Sequence, residues 1–111
     1  MTHSTLAHAA LAAAPAGAVT VLDFTARWCP PCRALSPILA AAAQAAGVRV
    51  FEIDVDTDVD AAARYGVRSM PTVVLVRDGQ EVGRFVGLRA RAFVDGVIAR
   101  AVRGDVAITA P

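Results

Sequence analysis

Residues 28–32, Trp-Cys-Pro-Pro-Cys, lie between a segment that predicts a strand and one that predicts a helix. The apolar run over residues 19–24 is typical of a strand buried on both faces, and an alanine- and leucine-rich segment follows. Both cysteines of the chain lie at this junction, three positions apart. Such a pair is typical of a dithiol in which one thiol can face solvent at the helix start. We therefore predict a redox-active dithiol that passes a disulfide to other proteins.

Length and cysteine spacing predict one domain without structural disulfides. The chain has 111 residues, enough for a hydrophobic core of its own. A disulfide between Cys29 and Cys32 would close a very short loop, remove little chain entropy and stabilise the fold little. We expect one domain over residues 1–111, with a core over residues 19–103 and a C-terminal tail over residues 104–111.

Charge and hydropathy exclude several classes of protein. The net charge is +1, with 11 basic and 10 acidic residues spread along the chain, which gives no case for binding to nucleic acid or to a membrane. No apolar run approaches the ~18 residues of a membrane-spanning helix. The N-terminus has no Lys or Arg before Arg27 and so lacks the basic region of a signal peptide. We expect a cytoplasmic protein.

The rest of the chain predicts alternating strands and helices. An N-terminal helix is predicted over residues 4–14. His8 within it and His3 just before it are interpreted as exposed side chains rather than as metal ligands or a proton relay. A helix that connects two strands implies a parallel pair with a right-handed crossover. Asp56 or Thr57 is the expected cap of a short helix that ends at Tyr65. The other elements are strands over 19–24, 48–54, 72–77 and 81–86, a turn at 78–79, and helices over 31–46, with a kink at 37, and 89–103.

Several of these segments resemble the thioredoxin family. Residues 22–33 are similar to its active-site segment, and residues 65–72 are similar to the segment that holds its cis-proline. The further matches are residues 36–39, 53–56, 78–79 and 86–87. The resemblance spans residues 19–102 and implies an α/β thioredoxin fold. We expect a mixed sheet of about four strands flanked by helices, with the first edge strand short or absent.

Three positions depart from the family pattern. Pro30 stands where the family usually has glycine, and Thr25 stands where it often has tryptophan. Val50 stands where many members carry a lysine near a buried aspartate.

The resemblance assigns different roles to the two thiols. Disulfide exchange needs a thiolate, and the free N–H groups and dipole at a helix N-terminus favour negative charge on Cys29. Cys29 is the implied nucleophile, and Cys32 is the implied buried resolving thiol. Pro30 and Pro31 have no N–H and therefore remove two possible donors to the thiolate.

Asp23 is the implied proton acceptor for Cys32. It interrupts the apolar strand, and burial should raise its pKa toward the range of a general base. The simpler alternative is a buried aspartate that only satisfies nearby backbone groups.

The resemblance also implies a surface for substrate. A cis Pro71 would leave the backbone of Met70 free to pair with an extended substrate segment, although Met70 is equally well explained as core packing. No metal site is expected. The implied substrate-binding residues are Trp28, Pro30, Pro31, Met70, Pro71, Val86, Gly87 and Leu88.

These residues predict a protein disulfide reductase that binds no cofactor. Its redox-active group would be the Cys29–Cys32 disulfide, with electrons from NADPH through a thioredoxin reductase. We expect a monomer whose partners are that reductase and disulfide-containing proteins. One alternative is a thioredoxin-like protein with a shifted redox potential and few partners. A metal-binding module would need further ligands, and a non-catalytic interaction subunit would not need both cysteines.

Overall fold

The computed structural model describes residues 14–105 and 108–110. The predicted N-terminal helix lies outside the described residues except for Ala14, and so do His3 and His8. The described elements are β1 (Val19–Thr25), α1 (Pro30–Ala46), β2 (Arg49–Asp54), α2 (Val59–Arg64), β3 (Thr72–Arg77), β4 (Gln80–Val86), α3 (Arg91–Arg103) and β5 (Ile108–Ala110).

The strands form one mixed sheet in the order β2-β1-β3-β4-β5. β1 and β2 are parallel and are connected by α1, as predicted. β3 lies antiparallel to both β1 and β4. The turn between β3 and β4 is at Asp78 and Gly79, which have φ angles of 50° and 78°. This left-handed backbone is what the Asp-Gly pair predicted.

A fifth strand occurs where the sequence predicted only a loose tail. Ile108–Ala110 pairs in parallel with β4. Without it, β4 would end the sheet with a row of unpaired backbone groups. The segment was not predicted to be a strand because three residues are fewer than a strand pattern normally needs.

The side chains of β1 alternate between two cores on opposite faces of the sheet. Val19 and Val21 pack with α1 and α3, whereas Leu22 and Phe24 pack on the face of α2. The continuous apolar run of β1 is therefore explained by burial on both faces. Asp23 lies on the face covered by α1, and this alternation places it near the dithiol.

Helix α2 begins later than predicted. Its N-cap is Asp58, whose carboxylate accepts a hydrogen bond from the Ala61 N–H at 3.3 Å. Asp56 does not cap the helix, because its side chain is used elsewhere. The helix ends at Arg64, and Tyr65 is its C-cap.

Candidate active site

Cys29 and Cys32 form a disulfide at the start of α1. Their Cα atoms are 5.3 Å apart. Cys29 is the N-cap of the helix, and its Sγ accepts a hydrogen bond from the Cys32 N–H at 3.3 Å. Pro30 and Pro31 occupy the first helical positions, where a missing N–H costs the helix nothing. The Cys32 N–H is therefore the first backbone donor of the helix available to the Cys29 sulfur.

Both sulfurs are shielded in this disulfide form. Cys29 is 3% exposed and Cys32 is 1% exposed. The predicted contrast between a solvent-facing thiol and a buried one is thus small in the oxidised protein. The pair is covered by Ala26, Val55 and Met70.

Trp28 lies on the surface in a fixed position. Its side chain is 63% exposed, and its indole N–H donates to Asp56 Oδ2 at 2.8 Å. The N–H of Asp56 in turn donates to Asp54 Oδ1 at 2.8 Å. An exposed aromatic ring held in this way is suited to contact with a partner protein and is not part of the core.

Asp23 is a buried acid with a raised pKa. It is 2% exposed, and its Oδ1 accepts no hydrogen bond from the described residues. Burial, followed by repulsion from Glu52, raises its pKa from 3.8 to about 7. The rise in the pKa of Asp23 and burial as its main cause are therefore as predicted, whereas the contribution of Glu52 was not predicted.

Glu52 on β2 is the register partner of Asp23 on β1. Its Oε2 accepts a hydrogen bond from Ser36 Oγ on α1 at 2.7 Å. Val50, the position where the family often has lysine, is half-buried and packs against the core. The family pattern drew attention to Val50 and not to Glu52. The alternation of side chains along β2 places Glu52 on the same face as Val50, so this alternation could have predicted Glu52 as a neighbour of Asp23.

The Met70–Pro71 bond is cis, as the resemblance implied. The half-buried Met70 packs against the cysteines. The Pro71 carbonyl accepts a hydrogen bond from the Gly87 N–H at 2.9 Å. This bond joins the cis-proline segment to the end of β4, and it leaves Leu88 beyond it 49% exposed.

One pocket opens beside the disulfide on the side of β2. Its lining residues are Thr25, Ala26, Arg27, Cys32, Arg33, Ser36, Glu52 and Asp54. It thus reaches Cys32 rather than Cys29. Among residues 14–105 and 108–110, no three potential metal-ligating side chains are grouped to hold an ion. No helix in the same residues is long and apolar enough to cross a membrane.

Comparison with known proteins agrees with this geometry. The family model described as Thioredoxin matches residues 6–99. The thioredoxin of Chlamydia pneumoniae is 42% identical over 84 residues, which cover 75% of this chain and 82% of that protein. The thioredoxin of Chlamydia trachomatis is 43% identical over 75 residues, which cover 67% and 74%. The X-ray structure of Fasciola hepatica thioredoxin superposes with a TM-score of 0.72 at 40% identity, covering 78% of this chain and 83% of that one.

A disulfide at the N-terminus of the helix that follows β1, packed against Met70 of the cis Met70–Pro71 bond, defines a thiol–disulfide oxidoreductase. The extent of the family match and the identity to its members show that the chain belongs to the thioredoxin family.

Proposed function

We propose that this protein reduces disulfide bonds in other proteins, with Cys29 as the attacking thiol. The observation that carries the proposal is the hydrogen bond from the Cys32 N–H to Cys29 Sγ at the helix N-terminus. The same donor and the helix dipole favour negative charge on Cys29 in the reduced protein. Cys32 lies inside the first turn, where it lines the pocket on the side of β2.

The reaction has two exchange steps. The Cys29 thiolate attacks one sulfur of the substrate disulfide, and the other substrate sulfur leaves with the electron pair and takes up a proton. Cys32 then loses its proton and attacks Cys29 Sγ. The Cys29–substrate bond breaks, the second substrate sulfur leaves as a thiolate, and the Cys29–Cys32 disulfide remains.

Asp23 is proposed as the acceptor of the Cys32 proton. A carboxylate with a pKa of about 7 is matched to proton transfer near neutral pH. Its burial on the α1 face and its unpaired Oδ1 support this role. A purely structural aspartate would be expected to have both oxygens occupied by backbone donors.

The proposed substrate surface surrounds the disulfide. The exposed Trp28 and Leu88 would supply apolar contacts, and the Met70 backbone would pair with an extended segment of substrate. Because main-chain pairing does not depend on the side chains of the substrate, it would allow the protein to bind many different substrate sequences. The remaining proposed members are Pro30, Pro31, Pro71, Val86 and Gly87.

We further propose that a thioredoxin reductase recharges the protein with electrons from NADPH, and that no cofactor is bound. The family membership supports this partner. The protein would act as a cytoplasmic, single-domain monomer. A narrower set of partners is the second candidate, favoured by Pro30 and Pro31 at the helix start, since two missing donors alter the stability of the thiolate.

Thiol trapping tests the assignment of the cysteines. A Cys32→Ser variant should accumulate a mixed disulfide with a substrate such as insulin, because its Cys29 adduct cannot be resolved. A Cys29→Ser variant should accumulate none. The reverse pattern would mean that Cys32 is the nucleophile.

A coupled assay tests the reductase function. The unmodified protein should reduce insulin when supplied with NADPH and a thioredoxin reductase. The redox potential of the cysteine pair, measured against glutathione, separates the two candidates. A potential well above that of cellular reductants would contradict the general reductase and favour the narrower one.

A further inference from the structure

Asp23 has a second carboxylate as its neighbour. Glu52 is its register partner across the parallel β1–β2 pair, so both side chains lie on the same face of the sheet. The hydrogen bond from Ser36 on α1 to Glu52 places Glu52 on the face that α1 covers. On the other side of Asp23, β3 supplies Val73.

The surroundings of Asp23 contain no cation that touches it among the described contacts. From β2 it faces Glu52 and from β3 Val73, and α3 contributes apolar side chains to this face. From α1, Cys32 and the exposed Arg33 line the neighbouring pocket together with Glu52. Burial and Glu52 both raise the pKa of Asp23, since adjacent carboxylates resist joint ionisation.

The two carboxylates differ in their access to solvent. Asp23 is buried, whereas Glu52 is exposed and lines the open pocket that also reaches Cys32. The hydroxyl of Ser36, 2.7 Å from Glu52 Oε2, holds that carboxylate in the pocket. A carboxylate in this position is close to both the buried acid and bulk water.

We propose that Glu52, held by Ser36, is a positioning residue that acts through Asp23 in the resolution step. It keeps Asp23 able to take the Cys32 proton near neutral pH. The inference rests on the proposed role of Asp23.

The proton and electrons balance as follows. Cys32 gives its proton to the Asp23 carboxylate, and the Cys32 sulfur bonds to Cys29 Sγ while the Cys29–substrate bond breaks. The substrate sulfur leaves with the electron pair. Asp23 then releases its proton to water, so that its carboxylate is restored.

A Glu52→Gln variant tests the electrostatic part. Glutamine keeps the size of the side chain and an acceptor for Ser36 but removes the charge. In the disulfide form, the titration midpoint of Asp23, followed by carboxyl NMR, should fall by about 0.5–1 pH unit. Glu81→Gln is the matched control, because Glu81 is the only other glutamate and lies on β4; it should leave the midpoint in place. An unchanged midpoint in Glu52→Gln would overturn the proposal.

The pH profile of the resolution step tests the link to Asp23. The rate of release of the second substrate thiol can be followed by stopped flow with an aromatic disulfide. The pH dependence of this rate should shift to lower pH in Glu52→Gln by the same amount as the titration midpoint. In an Asp23→Asn background, Glu52→Gln should cause no further shift. An equal shift in that background would mean that Glu52 does not act through Asp23, and it would overturn the proposal.

The Asp23→Asn variant separates the two failures. It should slow resolution at pH 7 by about 10²-fold. If it does not, the proposed role of Asp23 is wrong, and the positioning role of Glu52 falls with it. If it does, while Glu52→Gln changes neither the midpoint nor the profile, only the inference about Glu52 is wrong.

Discussion

Asp23 is an acid in a position where its ionised form is unfavourable. It interrupts an apolar strand and lies 2% exposed on the face of the sheet that α1 covers. Desolvation is the first cause of its raised pKa and Glu52 is the second. A buried carboxylate with an unpaired oxygen is costly to the fold, and groups of this kind cluster at functional sites.

The raised pKa of Asp23 predicts how the stability of the fold changes with pH. Below pH 3.8 Asp23 is protonated in both the folded and unfolded states, and above about 7 it is ionised in both. Between these values the folded state holds the proton and the unfolded state does not, so the contribution of Asp23 to stability is lost as pH rises. Asp23→Asn removes this dependence. The free energy of unfolding of the variant minus that of the unmodified protein should therefore be larger at pH 8 than at pH 4, by at most about 4 kcal/mol.

Urea unfolding of the disulfide form at pH 4 and pH 8 measures the difference. Asp60→Asn, which removes an exposed carboxylate from α2, is the matched control. An equal effect of Asp23→Asn at both pH values would contradict the raised pKa.

At the scale of elements, α1 carries most of the site. Cys29 caps its start, Cys32 lies in its first turn and Ser36 follows one turn later. Leu35 and Leu39, on the same side of the helix as Cys32, anchor it in the core. The helix ends at Gly47, which has a left-handed φ of 71°. Its position therefore depends on a cap at each end as well as on its apolar face.

Two glycine-to-alanine substitutions test the C-terminal cap. At Gly47 an added Cβ would meet nothing within 4 Å, so the cost comes from the positive φ alone. Gly47→Ala should lower the free energy of unfolding by about 1 kcal/mol. Gly96→Ala, the matched control within α3, also has open space around the added Cβ.

Because Gly96 is in a helix interior, its substitution should instead raise stability, by about 0.5–1 kcal/mol. Both values are read from urea unfolding. Changes of the same sign in the two variants would contradict the argument from backbone conformation.

At the scale of the whole molecule, three distant parts of the chain form one site. β1 leads into the disulfide, Met70 packs on the cysteines and the Pro71 carbonyl binds the Gly87 N–H. The central sheet holds these segments together, since β1 and β3 are buried on both faces. At the far edge from β2, β5 pairs with β4.

Removal of β5 tests its contribution to the sheet. A chain that ends at Asp105 should leave the backbone groups of Gly83, Arg84 and Phe85 on that edge without their partners in β5. The amides that face β5 should then exchange with deuterium at least about tenfold faster. Amides of β2 on the opposite edge are the internal control and should not change. Unchanged exchange in β4 would show that β5 adds no protection there.

Much of this architecture could be predicted from local patterns. The apolar run of β1, the helix with two prolines at its start and the Asp78-Gly79 turn each reflect short-range preferences of the backbone. The cis bond at Pro71 could be predicted from the family resemblance and not from its own residues. The cap of α2 was predicted at Asp56 or Thr57, and this was wrong because the Asp56 carboxylate binds the Trp28 indole.

The order of the elements and the position of the dithiol between β1 and α1 therefore follow from local sequence, because both depend on neighbours along the chain. Three contacts emerge only in the folded chain: the pairing of Glu52 with Asp23, the hydrogen bond between Asp56 and Trp28, and the addition of β5 to the sheet. These contacts depend on strand register and on which segments meet in space. Residue spacing leaves both open until the sheet is assembled.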